Sequence, residues 1–193
     1  ARIAAFVGKG VDSLVHRVLT DDMAQQADAA LFAQGRAAFF RHYHQVNGLH
    51  ATVFEGVPAA LQRLRDGGLR LACVTNKPRE FTLPLLERVG LAAAFDVVVA
   101  GDDVPEKKPH PAQLLEACRQ LNVPVSQCVM LGDSVNDAQA AARAGCPCLL
   151  VETGYNEGQS VTALRGTPGV WGVYANLPLA VKTLTAQALQ EQP

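Results

Sequence analysis

From residue 57 onward, short apolar runs of four to six residues alternate with amphipathic stretches of about ten, and glycine or proline marks most of the changes. Few folds satisfy that pattern. Val57 to Arg65 reads as a helix with Pro58 in its first turn and Gly67-Gly68 closing it. Leu69 to Val74 reads as a strand, and Arg79 to Val89 as a helix stopped by Gly90, with Pro84 as a point of shortening or kinking. Asp96 to Ala100 is the next strand, and Ala112 to Leu121 a helix opened by Pro111. Cys128 to Leu131 follows as a strand, Asp137 to Ala144 as a helix ended by Gly145, and Cys148 to Val151 as a strand. Val170 to Val173 is one more strand before a last helix from Leu179 to Leu189. Strands alternating with helices predict βαβ units and an α/β fold, a Rossmann-like parallel sheet covered on both faces. Ligands of such sheets sit beyond the carboxyl ends of the strands, which directs attention to the loops after Val74, Ala100, Leu131 and Val151.

The first quarter has a different texture. Between Val11 and Val46 there are no strand signals, and Leu14, Val15, Val18 and Leu19 recur at helical spacing. A second helical pattern carries Met23, Ala27, Ala30, Leu31, Ala38 and Phe39, with Asp21 or Asp22 as its N-cap and a bend at Gly35. Residues 1–52 are therefore expected to form a small helical section, and 53–193 the α/β core.

Composition narrows the function classes. With 49% hydrophobic and 18% charged residues, 193 residues can build a packed core. A net charge of −1, with no run of Lys and Arg, argues against nucleic acid and anionic membrane surfaces as partners. No apolar stretch approaches the roughly 18 residues of a membrane span. The five cysteines form no Cys-x-x-Cys pair, and Cys146-Pro147-Cys148 has the wrong spacing for zinc, so they read as apolar fillers in a reducing cytoplasm. His42 and His44, two apart on a helix, point to different faces and read as surface residues.

Three loops carry chemistry. Val74-Thr75-Asn76-Lys77-Pro78 runs from a strand through a hydroxyl and an amide into a helix N-terminus, which suits an oxyanion; Thr75 as a plain N-cap is the other reading. In Glu106-Lys107-Lys108-Pro109-His110-Pro111 two prolines stiffen a segment that can aim one ammonium inward, although adjacent lysines are also ordinary surface. Leu131-Gly132-Asp133-Ser134-Val135-Asn136-Asp137 brings two carboxylates to the sheet edge among oxygen donors, which is hard-cation chemistry and points to Mg²⁺. A hydroxyl, an ammonium and a metal-binding carboxylate pair in successive loops are what phosphoryl transfer requires.

In this order the three segments resemble the second, third and fourth motifs of the haloacid dehalogenase superfamily. Phe6-Val-Gly-Lys-Gly10, Gly101-Asp-Asp-Val104 and Gly154-Tyr-Asn-x-Gly158 are most similar to its phosphoglycolate phosphatase branch. The resemblance implies a helical cap on a Rossmann-like core, with residues 1–52 forming most of the cap. It implies Thr75 and Asn76 on the phosphoryl oxygens, Lys108 between nucleophile and phosphate, and Asp133 on Mg²⁺ with Asp137 supporting that site. Gly8, Lys9 and Gly10 would face the substrate carboxylate, and the substrate would be a small-molecule phosphate ester, with 2-phosphoglycolate leading. Another small sugar phosphate, a mutase reaction, or a non-catalytic phosphate-binding module are the alternatives, and oligomeric state is open.

The superfamily's first motif, Asp-x-Asp-Gly-Thr, which supplies the nucleophile and the general acid/base, does not occur here; Asp12-Ser13 is no substitute. Without its strand, two inner strands lack a partner, at about 1–3 kcal/mol for each buried unpaired group. The expectation is a stretch of a longer enzyme, and the start at Ala1 instead of methionine agrees with it.

Overall fold

The computed structural model describes residues 2–190, with side chains described for 3–186; Ala1 and residues 191–193 lie outside it. Three helices come first: α1 (Arg2–Phe6), α2 (Val11–Thr20) and α3 (Ala29–Val46). Alternation then begins with α4 (Val57–Asp66), β1 (Ala72–Val74), α5 (Arg79–Arg88) and β2 (Val97–Val99). It continues through α6 (Ala112–Leu121), β3 (Met130–Gly132), α7 (Val135–Ala144), β4 (Cys148–Val151), β5 (Val170–Tyr174) and α8 (Leu177–Gln190). All the strand pairings are parallel, as the alternation predicts.

The strands form two groups. β1 pairs with β2, while β4 lies between β3 and β5, so β1 and β3 each have an edge that pairs with no strand among the described residues. The two groups share packing nonetheless. Leu71, just before β1, and Leu131 on β3 rest on one apolar cluster built by Ala60 and Leu64 of α4 and Val181 of α8. A larger cluster joins Leu114 of α6, Ala140 and Ala141 of α7, and Cys148, Leu150 and Val173 of the sheet, with Val74 of β1 packed against it. Helices thus cover both faces, and β4 is buried at every position.

Local chemistry explains the boundaries that differ from expectation. β1 starts at Ala72 instead of Leu69 because the Leu71 N–H is taken at 2.8 Å by the Asp96 carboxylate, which ends the ladder there. α7 starts two residues before the predicted Asp137 because Ser134 is its N-cap. α3 is capped by Asp28, whose carboxylate accepts from the Ala30 and Leu31 N–H groups, and not by Asp21 or Asp22. Asp21 instead closes α2 in a left-handed conformation. α3 passes Gly35 without a break; a Cβ there would meet Leu19 at 3.0 Å, so the glycine lets α2 and α3 approach. Pro84 lies inside α5, which still runs its ten residues.

The five cysteines are free, and burial, together with Cys128 at 3.4 Å, pushes the Cys118 thiol up to about 12. His44 sits exposed beside Glu80. No helix among the described residues is long and apolar enough to cross a membrane.

Candidate active site

A cavity of about 340 Å³ opens where the loops after β1 and β3 and the Lys107-Lys108 loop meet the helical section. Its floor holds Thr75, Asn76, Lys108, Asp133 and Asp137. Residues from three separate loops, up to 62 positions apart, therefore converge as the strand-end argument requires.

Each floor residue has a geometric reason for its place. The Thr75 hydroxyl oxygen accepts from the Lys77 N–H at 3.1 Å, which leaves its own proton free to donate into the cavity. Asn76 is buried and fully engaged. Its amide nitrogen donates to the Gly8 and Lys108 carbonyls, and its oxygen accepts from the Lys108 N–H. That residue, expected to touch phosphoryl oxygens, therefore pins the lysine loop and the 7–10 segment in place. The Lys108 ammonium donates to the Val74 carbonyl at 2.7 Å and to Asp137 Oδ1 at 2.8 Å, spanning from the end of β1 to the head of α7. One of its three protons remains for a ligand.

The carboxylate pair divides its work. Asp137 is only 3% exposed, and its Oδ2 accepts from the Asp133 and Ser134 N–H groups and the Ser134 hydroxyl. Ser134 and Asp137 form a capping box at the start of α7. Burial opposes its charge, but Lys108 and these donors hold the Asp137 carboxyl below the ordinary range. Asp133 lies beside it, and burial together with the Asp137 charge pushes its carboxyl up to about 6. Its Oδ2 accepts from the Tyr155 N–H at 2.8 Å. Gly132 and Gly154 make this packing possible, because a Cβ at either would overlap the Asp137 or Asp133 side chain.

Two carboxylates in contact, one of them pushed toward neutrality, form an oxygen-donor site that a hard divalent cation would satisfy. Asp133 has the freer carboxylate, and Asp137 is filled by protein donors. No group of three or more His, Cys, Asp or Glu gathers as a complete ligand set among the described residues.

The opposite wall comes from the helical section. Gly8 and Gly10 line the cavity, whereas Lys9, exposed on the bend between α1 and α2, does not. Val11 and Leu14 of α2 and Phe39 and Tyr43 of α3 complete the wall, and Lys77 and Tyr155 join from the core. None of these six side chains stands out from the sequence alone as a site residue. Lys77 had a usable signal in its place directly after Thr75-Asn76, while Tyr43 belongs to an aromatic series indistinguishable from core packing.

Comparison with known proteins agrees with this architecture. The model of the haloacid dehalogenase-like hydrolase family matches residues 1–145. The phosphoglycolate phosphatase of Thiobacillus denitrificans is 45% identical over 162 residues, covering 84% of this chain and 71% of that protein. That of Neisseria meningitidis is 34% identical over 190 residues, covering 98% and 80%. The crystal structure of a predicted phosphoglycolate phosphatase from Haemophilus somnus superposes with a TM-score of 0.83 at 26% identity, over 94% of this chain and 80% of that one.

Proposed function

This chain belongs to the haloacid dehalogenase-like hydrolase family, and we propose that its cavity binds and hydrolyses 2-phosphoglycolate as a Mg²⁺-dependent phosphomonoesterase, with residues 1–52 as the cap and 53–193 as the core. The observation that carries the reading is the convergence of the Thr75 hydroxyl, the Lys108 ammonium and the Asp133–Asp137 pair on one small cavity. The names of the relatives point to the same ester.

In this reading Thr75 donates to a phosphoryl oxygen, and Lys108, anchored by Val74 and Asp137, supplies a fixed positive charge beside it. Asp133 would hold Mg²⁺ with Asp137 supporting it; the ion would add positive charge where negative charge develops. Asn76 and Asp137 act by position, fixing Lys108 from its backbone and from its ammonium. The family resemblance implies an aspartyl-phosphate route whose attacking carboxylate comes from the Asp-x-Asp-Gly-Thr motif, which this sequence does not contain. The walls from α2 and α3 exclude water and select the organic part of the ester.

Phosphate release from 2-phosphoglycolate by the protein supplied with an Asp-x-Asp-Gly-Thr strand ahead of Ala1, with Mg²⁺ and with chelator, tests the proposal; the 193-residue stretch alone is expected to bind the ester without turnover. Turnover that chelator abolishes and that Asp133→Asn lowers at least about 100-fold is expected. Release from a different small ester but not from this one rejects the substrate. Turnover indifferent to chelator rejects the metal.

A further inference from the structure

Two ammonium groups line the cavity, and only one has an anionic partner. Lys108 lies 2.8 Å from Asp137. Lys77 instead hydrogen-bonds the Tyr43 hydroxyl, with its nitrogen 4.3 Å from the centroid of that ring, and no carboxylate forms an ion pair with it among the described residues. A cation held in a cavity wall by a phenol, without a counterion, marks where a ligand brings negative charge.

We propose that Lys77 is the specificity-determining residue of this site: with Tyr43 it binds a carboxylate on a short phosphomonoester whose phosphoryl group lies at Thr75 and Lys108. The inference rests on the phosphatase reading above and deepens it. Thr75 and Lys77 are two residues apart on one loop, with Cα atoms no more than about 7.6 Å apart, so the two ends of the ligand are read from neighbouring positions. That suits a molecule only a few bonds long. A single ammonium balances a singly charged carboxylate, whereas a second phosphate dianion calls for more than one cation. Phe39 stacks on Tyr43 with ring centroids 4.9 Å apart, and Val11 and Leu14 add apolar lining to the same cavity, which strengthens a charge-assisted hydrogen bond by keeping water from it. Because Tyr43 sits on α3, the helical section takes part in selection through an aromatic side chain and not through Lys9.

The test uses two non-hydrolysable probes of equal length, 3-phosphonopropionate and 3-hydroxypropylphosphonate, titrated calorimetrically into the purified protein in Mg²⁺ buffer. The pair differs only in carboxylate against neutral CH₂OH. Lys77→Met is expected to weaken 3-phosphonopropionate about 10–100-fold and the neutral probe less than about twofold. Tyr43→Phe, which keeps the ring, is expected to weaken only the carboxylate probe, by about two- to fivefold, and serves if Lys77→Met loses its circular dichroism. Equal weakening of both probes, or unchanged preference between them, overturns the assignment of Lys77. Failure of the wild-type protein to bind either probe or inorganic phosphate overturns the phosphatase reading itself, and the inference with it.

Discussion

Gln113 is 0% exposed in the first turn of α6, and its side chain joins three loops. Its amide nitrogen donates to the Thr75 carbonyl at 2.7 Å and the Ala100 carbonyl at 2.9 Å, and its oxygen accepts from the Lys108 N–H at 3.0 Å. It positions the Thr75 and Lys108 loops without reaching the cavity. Gln113→Met keeps the volume and removes every partner, leaving two carbonyls and one N–H with fewer partners. A loss of about 3 kcal/mol in urea unfolding is expected, with weakened phosphate binding. An unchanged midpoint would show that water replaces the amide. Nothing in the sequence marks Gln113, since a glutamine early in an amphipathic helix reads as solvent-facing. Asp133, by contrast, was legible because Gly-Asp follows a strand directly, and the overlap a Cβ at Gly132 would make with Asp137 gives the physical reason for that glycine.

At the scale of elements, helix ends explain most of what sequence patterning misses. α5 has proline at its N-cap and no side-chain cap of its own. The loop after β2 serves instead: Asp102 accepts from the Arg79 N–H, and Asp103 pairs with the Arg79 guanidinium and accepts from the Ala100 N–H. The Arg79 guanidinium, with that N–H, outweighs burial and holds the Asp103 carboxyl below the ordinary range. Its folded pKa is depressed, so its stabilisation is present above the ordinary carboxylate value and is lost as pH falls through the folded value. Melts from pH 6 down to pH 3 should therefore show the wild-type advantage over Asp103→Asn shrinking as the acid range is entered. A constant gap across that window would remove the ion pair from the account. Gly101-Asp102-Asp103-Val104 was legible as part of the family resemblance, but the helix it caps lies on another strand's loop, a pairing that periodicity does not encode.

For the whole molecule, the contact between helical section and core decides whether the cavity exists. Arg17 of α2 is buried, and its guanidinium donates to the Phe6 carbonyl at 2.8 Å and to Glu157 of the loop after β4 at 2.9 Å. That same loop carries Tyr155, whose N–H holds Asp133. One ion pair therefore links the helical section to the loop that holds the Asp133 carboxylate. Arg17→Met leaves the largely buried Glu157 carboxylate without its partner and should cost about 3 kcal/mol, with part recovered in the Arg17→Met/Glu157→Gln double variant. Additive losses in thermal or urea melts would mean that the two side chains act independently.

The α/β alternation, the parallel pairing, the helical first section and the loops bearing Thr75, Lys108 and Asp133 are all legible along the chain. Strand and helix periods, turn residues and strand-end motifs are local properties, carried by neighbours along the chain. The tertiary structure alone decided that Asn76 and Asp137 are saturated anchors, that Lys9 lies outside the cavity and that Lys77 and Tyr43 lie within it. Those outcomes depend on which donors and charges meet across loops tens of residues apart, and hydrogen-bond saturation and burial exist only once the chain has brought them together.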